Sequence, residues 1–247
     1  MEPTSTSRTD SLTVVVMAYN EAATLESVVK EIDQEAHKSV DEYEIIIVDD
    51  GSTDGTEKIA DRLAAEMPFV RVLHHEKNRG IGGVLRTGYY GARKDLIAIF
   101  PADGQCPAAN IGEFVANMKG RDIVLAYIPK RNNPLAAILL SKMERMLFNI
   151  LFGPMPRFQG IYMFRRSLLE RLPLTSRGRG WIIQMELIVR AQKAGCQIAS
   201  IPVENRDRTS GKSKVTNLRS VLANIRQVIA LFIDLQLERF RLRRKEH

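Results

Sequence analysis

The alternation of apolar, strand-like runs with helix-like segments over residues 12–128 constrains the fold of this chain most strongly. The runs are continuous and rich in Val and Ile, which is typical of strands covered on both faces. Strands are predicted at 12–19, 43–50, 69–75, 95–100 and 122–128. Helices are predicted between them at 21–37, 53–67, 80–93 and 107–119. This alternation predicts βαβ units and an α/β fold with a mainly parallel, doubly wound sheet.

The pattern becomes less regular after residue 128. It predicts a helix with a wide apolar face at 134–153. Two short strands are predicted at 160–164 and 197–203, with a helix at 180–194 between them. A long helix at 216–245 ends the pattern. We expect three parts along the chain: a disordered polar tail at 1–11, one α/β domain at 12–214 and an amphipathic basic helix at 215–247.

The net charge of the chain is +7 and its pI is about 9.5. This balance fits an anionic partner, which can be a phosphorylated substrate or a membrane surface, although ordinary solubility explains it equally well. No nucleic-acid motif is recognisable, so no nucleic-acid partner is expected. The two cysteines, Cys106 and Cys196, are far apart and suggest a reducing compartment. No signal peptide or membrane-spanning run is predicted.

Polar residues cluster where the predicted strands end. Tyr19–Glu21 follows the first strand, Asp49 and Asp50 end the second, and Asp103 follows the fourth. In doubly wound sheets, ligands bind beyond the carboxyl ends of the strands. The adjacent acids and the Gly-Ser-Thr turn after them can hold the base and ribose of a nucleotide. The alternatives are a turn at Asp103 and helix capping by Ser52 or Thr53. The four histidines lie in no recognisable catalytic motif.

Several segments occur together in one order: "AYNE", "VDDGSTDGT", "NRGIGG", "ADGQ" and "QMEL". In this order and spacing they resemble the inverting, nucleotide-sugar-dependent glycosyltransferases of family 2, which have the GT-A fold. The resemblance covers roughly residues 12–214. The segments "GIYMFRRSLLERL" and "GKSK" are similar to the polyprenyl-phosphate branch of that family, which includes dolichol-phosphate mannose synthase.

The resemblance implies a donor site at the carboxyl edge of the sheet. The nucleotide would be bound by Ala18, Tyr19, Glu21, Asp49, Asp50 and Asp103. A divalent metal, Mg²⁺ or Mn²⁺, would be held by Asp103 and Gln105 on the sugar diphosphate. The family's Asp-x-Asp element has Pro101 at its first position here, and Met17, Ile128 and Phe158 are further departures from the common pattern. One or two carboxylates with phosphate oxygens suffice for Mg²⁺.

The resemblance also implies a polyprenyl phosphate acceptor. Its phosphate oxygen is already an anion, so no general base need deprotonate it. The acceptor phosphate would be bound by Arg131, Arg208, Ser213 and Lys214, and the acceptor or sugar side by Gln184 and Glu186. The catalytic set is then Asp103, Glu186 and Arg208. The alternatives are a lysine-rich surface loop at 204–214 and an ordinary ion pair at Glu186.

The final segment alternates apolar with charged residues and ends in "ERFRLRRKEH". Such a helix is too charged to span a bilayer, but anionic headgroups would attract its basic end. We therefore expect a cytoplasmic protein that is peripheral on the cytoplasmic face of a membrane. Packing on the core or in a homo-oligomer is the alternative. Two other functions remain open: a degenerate family member that binds without turnover, and a transferase with a non-lipid glycan acceptor.

Overall fold

A computed structural model describes residues 10–129, 145–206 and 218–243. The strands in this part of the chain are β1 (Leu12–Ala18), β2 (Tyr43–Asp49), β3 (Val70–His74), β4 (Leu96–Pro101), β5 (Ile123–Tyr127), β6 (Tyr162–Arg165) and β7 (Ile198–Pro202). The helices are α1 (Leu25–Ser39), α2 (Thr56–Glu66), α3 (Gly80–Gly91), α4 (Asn110–Asn117), α5 (145–152), α6 (Ser167–Arg171), α7 (Ile182–Lys193) and α8 (Leu218–Arg243).

The strands form one seven-stranded sheet in the order β3-β2-β1-β4-β6-β5-β7. β6 runs antiparallel to both of its neighbours, and the other pairs are parallel. The predicted α/β fold with a mainly parallel sheet is therefore confirmed. Because Ala18 is in register with Asp49, and Met17 with Pro101, the carboxyl ends of β1, β2 and β4 lie at one edge.

The sheet is covered by helices on both faces. Val14 and Val16 of β1 point into a core shared with α1, α2 and α4. Val15 points to the opposite face, where α3 and α7 pack. This two-sided burial explains why the strands are continuous apolar runs instead of alternating ones. The short helix α6 was not predicted; it anchors Leu168 in the second core.

The start of α1 differs from the prediction by four residues, since the helix begins at Leu25 and not at residue 21. The backbone N–H groups of Asn20, Glu21 and Ala22 donate to side chains of the 52–56 segment instead of entering a helix. Asn20 has a left-handed φ of 57°. These partners lie more than 30 residues away in sequence, so a local pattern could not reveal them.

At the start of the described chain, Asp10 and Ser11 are docked on the sheet. The backbone N–H of Leu96 donates to the Ser11 carbonyl at 2.8 Å, and Arg165 pairs with Asp10 at 3.1 Å. The two last residues of the predicted tail are therefore anchored, and residues 1–9 lie outside the described residues.

At the other end, α8 packs on α5 and α7. Val228, Leu231 and Leu235 of α8 are buried in that contact. Three residues on its other side, Ile229, Ile233 and Leu237, are 44–50% exposed. Within the described residues, every helix is too short or too polar to span a bilayer. Of the predicted helix at 134–153, residues 145–153 belong to the described chain, and 145–152 of them are helical.

Candidate functional site

The carboxyl edge of the sheet brings together the segments that follow β1, β2 and β4. Backbone hydrogen bonds continue just beyond the strands: the Asp50 N–H donates to the Ala18 carbonyl at 2.9 Å, and the Ala102 N–H to the Met17 carbonyl at 3.0 Å. The structure thus places Ala18, Asp50 and Asp103 at one edge, as expected.

The "AYNE" and "VDDGSTDGT" segments are joined by reciprocal hydrogen bonds. Asn20 N–H donates to Ser52 Oγ at 2.9 Å, and Thr53 N–H donates back to Asn20 Oδ1 at 2.8 Å. Glu21 N–H donates to Thr56 Oγ1 at 2.8 Å. Tyr19, the residue before them, is 39% exposed at this edge. The capping expectation for Ser52 and Thr53 is wrong, because α2 has Gly55 at its N-cap with no side-chain cap bond.

Asp50 is buried, and its carboxylate is satisfied within the protein. Its Oδ1 accepts from the Arg79 N–H at 2.8 Å and lies 2.7 Å from His75 Nδ1. Its Oδ2 accepts from the Gly80 N–H at 2.9 Å. The second nitrogen of His75 lies 2.8 Å from Thr87 Oγ1. Asp50 therefore fixes the start of α3, and its part in nucleotide binding stays a prediction.

Asp49 is also buried and paired. Its Oδ1 accepts from the Ser52 N–H at 3.1 Å, and its Oδ2 lies 3.0 Å from His74 Nδ1. Burial alone would lower the pKa of His74, but the hydrogen bonds to Asp49 and Asp61 outweigh it and raise that pKa. The pairing of His74 with Asp49 and of His75 with Asp50 was not predicted from the sequence. The signal was present: a His-His pair ends the strand beside the one that ends in Asp-Asp.

Asp103 lies in a tight turn. Gly104 has a φ of +72°, and the Gln105 N–H donates to Asp103 Oδ1 at 3.0 Å. The Gln105 carbonyl accepts from the Arg206 N–H at 2.8 Å, which brings the segment after β7 beside the turn. Asp103 therefore lies in a turn, as one interpretation of the sequence predicted, and the turn leaves room for the other interpretation, a ligand site. Among the described hydrogen bonds, none uses Asp103 Oδ2.

The donor set at this turn fits a metal shared with a ligand. Across the described residues, no three His, Cys, Asp or Glu side chains converge as they would around a metal ion. The two predicted metal ligands, Asp103 and Gln105, lie in this turn and offer a carboxylate and an amide oxygen, and their binding of a metal stays a prediction. Mg²⁺ sites with one or two carboxylates and substrate phosphates are common.

Glu186, on α7, is fully buried and does not face an open site. Its carboxylate accepts from the Thr175 and Ser176 N–H groups at 2.8–3.1 Å and from Arg190 Nε at 2.8 Å. Burial would raise its pKa, but these hydrogen bonds outweigh it and lower that pKa. The contacts therefore match the ion-pair alternative, with Glu186 bracing the 174–180 loop. Gln184 is also fully buried, and its side-chain amide has no partner among the described residues.

The remaining predicted acceptor residues, Arg131, Arg208, Ser213 and Lys214, lie outside the described residues. The last described residue of that loop, Arg206, pairs with Glu31 at 3.0 Å. The loop therefore begins next to the Asp103 turn and α1.

The sequence analysis also missed the contact between the glycine-rich turn at 78–83 and the 177–180 loop. The Gly82 N–H donates to the Arg179 carbonyl at 2.9 Å. A Cβ on Gly82 would lie only 2.0 Å from the Gly178 carbonyl oxygen, so only glycine fits there. The signal was the presence of two glycine-rich segments, "GIGG" and "RGRG", each of which permits close backbone approach.

Comparison with known proteins identifies the family of this chain. The model of "Glycosyl transferase family 2" matches residues 13–173. Polyprenol monophosphomannose synthase from Mycolicibacterium smegmatis is 28% identical, over 91% of this chain and 89% of its own length. Glycosyltransferase AglD from Haloferax volcanii is 30% identical over 88% of this chain, which spans only 36% of that longer protein.

A solved structure supports the fold. Glucosyl-3-phosphoglycerate synthase from Mycobacterium tuberculosis, in complex with Mn²⁺, uridine diphosphate and phosphoglyceric acid, superposes with a TM-score of 0.68 at 24% identity. The match covers 91% of this chain and 78% of that one. The family model spans well over half of the chain, including the "AYNE", "VDDGSTDGT" and "ADGQ" segments that meet at the sheet edge. The chain therefore belongs to glycosyl transferase family 2 and has a GT-A-like fold.

Proposed function

We propose that this protein transfers a sugar from a nucleoside diphosphate sugar to a polyprenyl phosphate, with inversion, at the cytoplasmic face of a membrane. The observation that carries the proposal is the sheet edge where the Tyr19–Glu21 turn, the Asp49–Asp50 pair and the Asp103 turn meet. The similarity to polyprenol monophosphomannose synthase over nearly the whole of both chains supports the choice of acceptor.

The nucleotide part of the donor would lie against the Tyr19–Glu21 turn. Tyr19 is exposed there, and the turn is held rigidly by Ser52 and Thr56. Asp49 and Asp50 have most of their hydrogen-bonding capacity engaged inside the protein. Their contribution would therefore be to preorganise the pocket, with any remaining lone pair directed to the nucleoside.

The diphosphate of the donor would lie over the Asp103 turn with a divalent metal. Asp103 and Gln105 are the residues that would hold this metal. When bound, Mg²⁺ or Mn²⁺ neutralises the charge that develops on the leaving diphosphate. Preorganised stabilisation of such charge is usually a large contribution to catalysis.

The acceptor would attack from the side opposite the leaving group. Its phosphate oxygen carries its own negative charge, so the protein's task is to position it and not to remove a proton. Arg131, Arg208, Ser213 and Lys214 are proposed to bind this phosphate. A planar Arg guanidinium can donate two parallel hydrogen bonds to it.

The test is transfer of label into lipid. The protein would be incubated with membranes and a panel of radiolabelled nucleotide sugars, including UDP-glucose and GDP-mannose, with Mg²⁺ or Mn²⁺. We expect label in the lipid phase with one donor, and none when a chelator is in excess. Donor binding without transfer to lipid or to soluble glycans would show a member of the family that binds without turnover.

A further inference from the structure

The 174–181 segment is held more firmly than a surface loop requires. At its start, the buried Glu186 carboxylate accepts from the N–H groups of Thr175 and Ser176. From α3, the Arg86 guanidinium donates to the carbonyls of Leu174 and Ser176. A fully buried carboxylate is unfavourable unless it is well paired, so the Glu186 carboxylate and the loop backbone that it binds are held together strongly.

The middle of the loop is bound to the edge of the sheet that carries the donor site. The Arg179 guanidinium donates to the Asn78 carbonyl at 2.9 Å and to the Asn78 side-chain oxygen at 2.6 Å. The Arg179 carbonyl accepts from the Gly82 N–H, two residues after the Gly80 N–H that donates to Asp50. The loop thus contacts the start of α3, which in turn binds Asp50, a predicted nucleotide-binding residue.

On its other side, the loop touches α8. A Cβ on Gly178 would lie 2.2 Å from Gln227 Oε1, so loop and helix are in close contact there. Further along α8, Leu237 lines a cleft together with Thr175 at the start of the loop. Leu237 is one of three exposed apolar side chains on that side of the helix, with Ile229 and Ile233. The loop therefore bridges the donor edge of the sheet and the apolar side of the C-terminal helix.

The loop presents Arg177 and the Trp181 ring to solvent; Arg179 is exposed as well, but its guanidinium is bound to Asn78. Arg177 is exposed and, within the described part of the chain, forms no salt bridge. Trp181 is 42% exposed at the start of α7 and is the one tryptophan of the chain. An exposed arginine four residues before an exposed indole suits a ligand with an anionic head and an apolar tail.

We infer that Arg177 and Trp181 form a docking site for the prenyl phosphate acceptor, where Arg177 binds the phosphate and Trp181 packs against the first isoprene units. The inference rests on the proposed function, and it adds residues that lie outside the 204–214 loop. Glu186 and Arg86 act as positioning residues, since they hold the loop without reaching the ligand themselves.

Trp181 provides a direct measurement, because it is the one tryptophan of the chain and selective excitation of the indole reports on its environment alone. We would titrate the protein with farnesyl phosphate, farnesol, inorganic phosphate and UDP with Mn²⁺. We expect farnesyl phosphate to shift the emission to the blue and the other three to change it little. Arg177→Ala should weaken farnesyl phosphate binding by at least about tenfold, the scale of one lost charge-assisted hydrogen bond.

A matched control is Arg93→Ala, an exposed arginine just before β4, at the opposite edge of the sheet. This variant should titrate as the wild type does. Arg177→Lys should recover part of the affinity, since it keeps the charge and loses the fork of donors. For the ring, Trp181→Ala should raise the acceptor KM and leave the donor KM unchanged. Trp181→Phe keeps an aromatic ring, so its acceptor KM should be close to that of the wild type.

Three results would overturn the inference. One is a farnesyl phosphate titration that is identical in wild type and Arg177→Ala. Another is an emission shift caused by UDP with Mn²⁺ and not by farnesyl phosphate, which would assign the loop to the donor. The third is the same Arg177-dependent shift with anionic vesicles that contain no prenyl phosphate, which would make the loop a membrane contact.

The proposed function can fail separately. If the wild type binds farnesyl phosphate through Arg177 but moves no sugar to any lipid, the docking inference stands and the transferase proposal falls. If sugar is transferred to lipid, and Arg177→Ala and Trp181→Ala leave the acceptor kinetics unchanged, the transferase proposal stands and the docking inference falls.

Discussion

At the scale of single residues, Asp50 and Asp103 occupy the same edge of the sheet but have different partners. Asp50 is buried and receives hydrogen bonds on both oxygens, whereas Asp103 is half-buried and receives one bond on Oδ1. Asp50 therefore contributes mainly to the shape of the site. Asp103 retains the capacity to bind a ligand directly.

Asp103→Asn tests the direct role. Because it removes the carboxylate that would hold the metal, we expect transfer activity to fall by about a hundredfold or more. The thermal midpoint should change little, since Asp103 makes one described hydrogen bond. Asp41→Asn, an exposed acid before β2, is the control and should keep full activity. Full activity of wild type in excess chelator would contradict the metal assignment.

Asp50→Asn tests the shaping role. The change removes the charge that binds two backbone N–H groups and His75, so the free energy of unfolding should fall by about 2–3 kcal/mol. Donor binding should be lost as the start of α3 moves. Denaturant unfolding and calorimetry with the donor measure the two effects. Unchanged donor affinity would remove Asp50 from the nucleotide site.

At the scale of elements, the strands and most helices could be predicted because their signals are local. The runs "LTVVVMA" and "YEIIIVD" are buried on both faces, and a continuous β-branched pattern reports this directly. The role of Glu186 and the 177–180 loop could not be predicted in the same way. Arg179 and its partner Asn78 are separated by 101 residues, so their contact exists only after the sheet has formed.

Gly82→Ala tests the contact between α3 and that loop. The added Cβ would lie 2.0 Å from the Gly178 carbonyl oxygen, and overpacking of this kind should lower the free energy of unfolding by about 3 kcal/mol. Gly112→Ala in α4 is the matched helical control. Its Cβ would meet only Ser39 Oγ at 3.5 Å, so this change should be neutral or stabilising by up to about 1 kcal/mol. Equal effects of the two changes would contradict the packing argument.

The buried carboxylate of Glu186 on α7 predicts that the free energy of unfolding depends on pH. The pKa of Glu186 is lowered in the folded state, so its stabilisation is complete above its ordinary value of 4.5 and is lost as the pH falls through the folded pKa. We expect Glu186→Gln to be less stable than wild type near neutral pH, with a difference that shrinks in acid. Denaturant unfolding at a series of pH values measures this difference. A difference that is constant with pH would show that the charge of Glu186 does not matter.

At the scale of the whole molecule, the donor edge and the exposed side of α8 are linked through the 174–181 segment, which contacts Asn78 at one end and lines a cleft with Leu237 at the other. Ile229, Ile233 and Leu237 recur every four residues and so lie on one side of the helix. An apolar side on a basic chain is the combination that associates with anionic lipid surfaces. We therefore expect the protein to bind a membrane reversibly.

A triple change of Ile229, Ile233 and Leu237 to Ser tests this expectation. Wild type should sediment with vesicles that contain anionic lipid and be released by high salt. The triple variant should bind at least about tenfold more weakly, because it removes apolar area that each lipid contact would bury. Tyr90→Ser, an exposed aromatic change on α3, serves as the control. If the triple variant binds as wild type does but changes its oligomeric state, the apolar side belongs to a homo-oligomer.

Arg190 touches two acids at once, Glu186 beneath the loop and Glu238 on α8, both at 2.8 Å. A chain cut after residue 214 would keep all seven described strands and the segments that follow β1, β2 and β4. It would nevertheless leave this arginine with one partner instead of two and would uncover Ile182 and Val189. The C-terminal helix therefore supports the loop from below, through Arg190 and Glu186. A chain shortened before Glu238 is expected to hold the loop less firmly, although the residues of the donor edge would all be present.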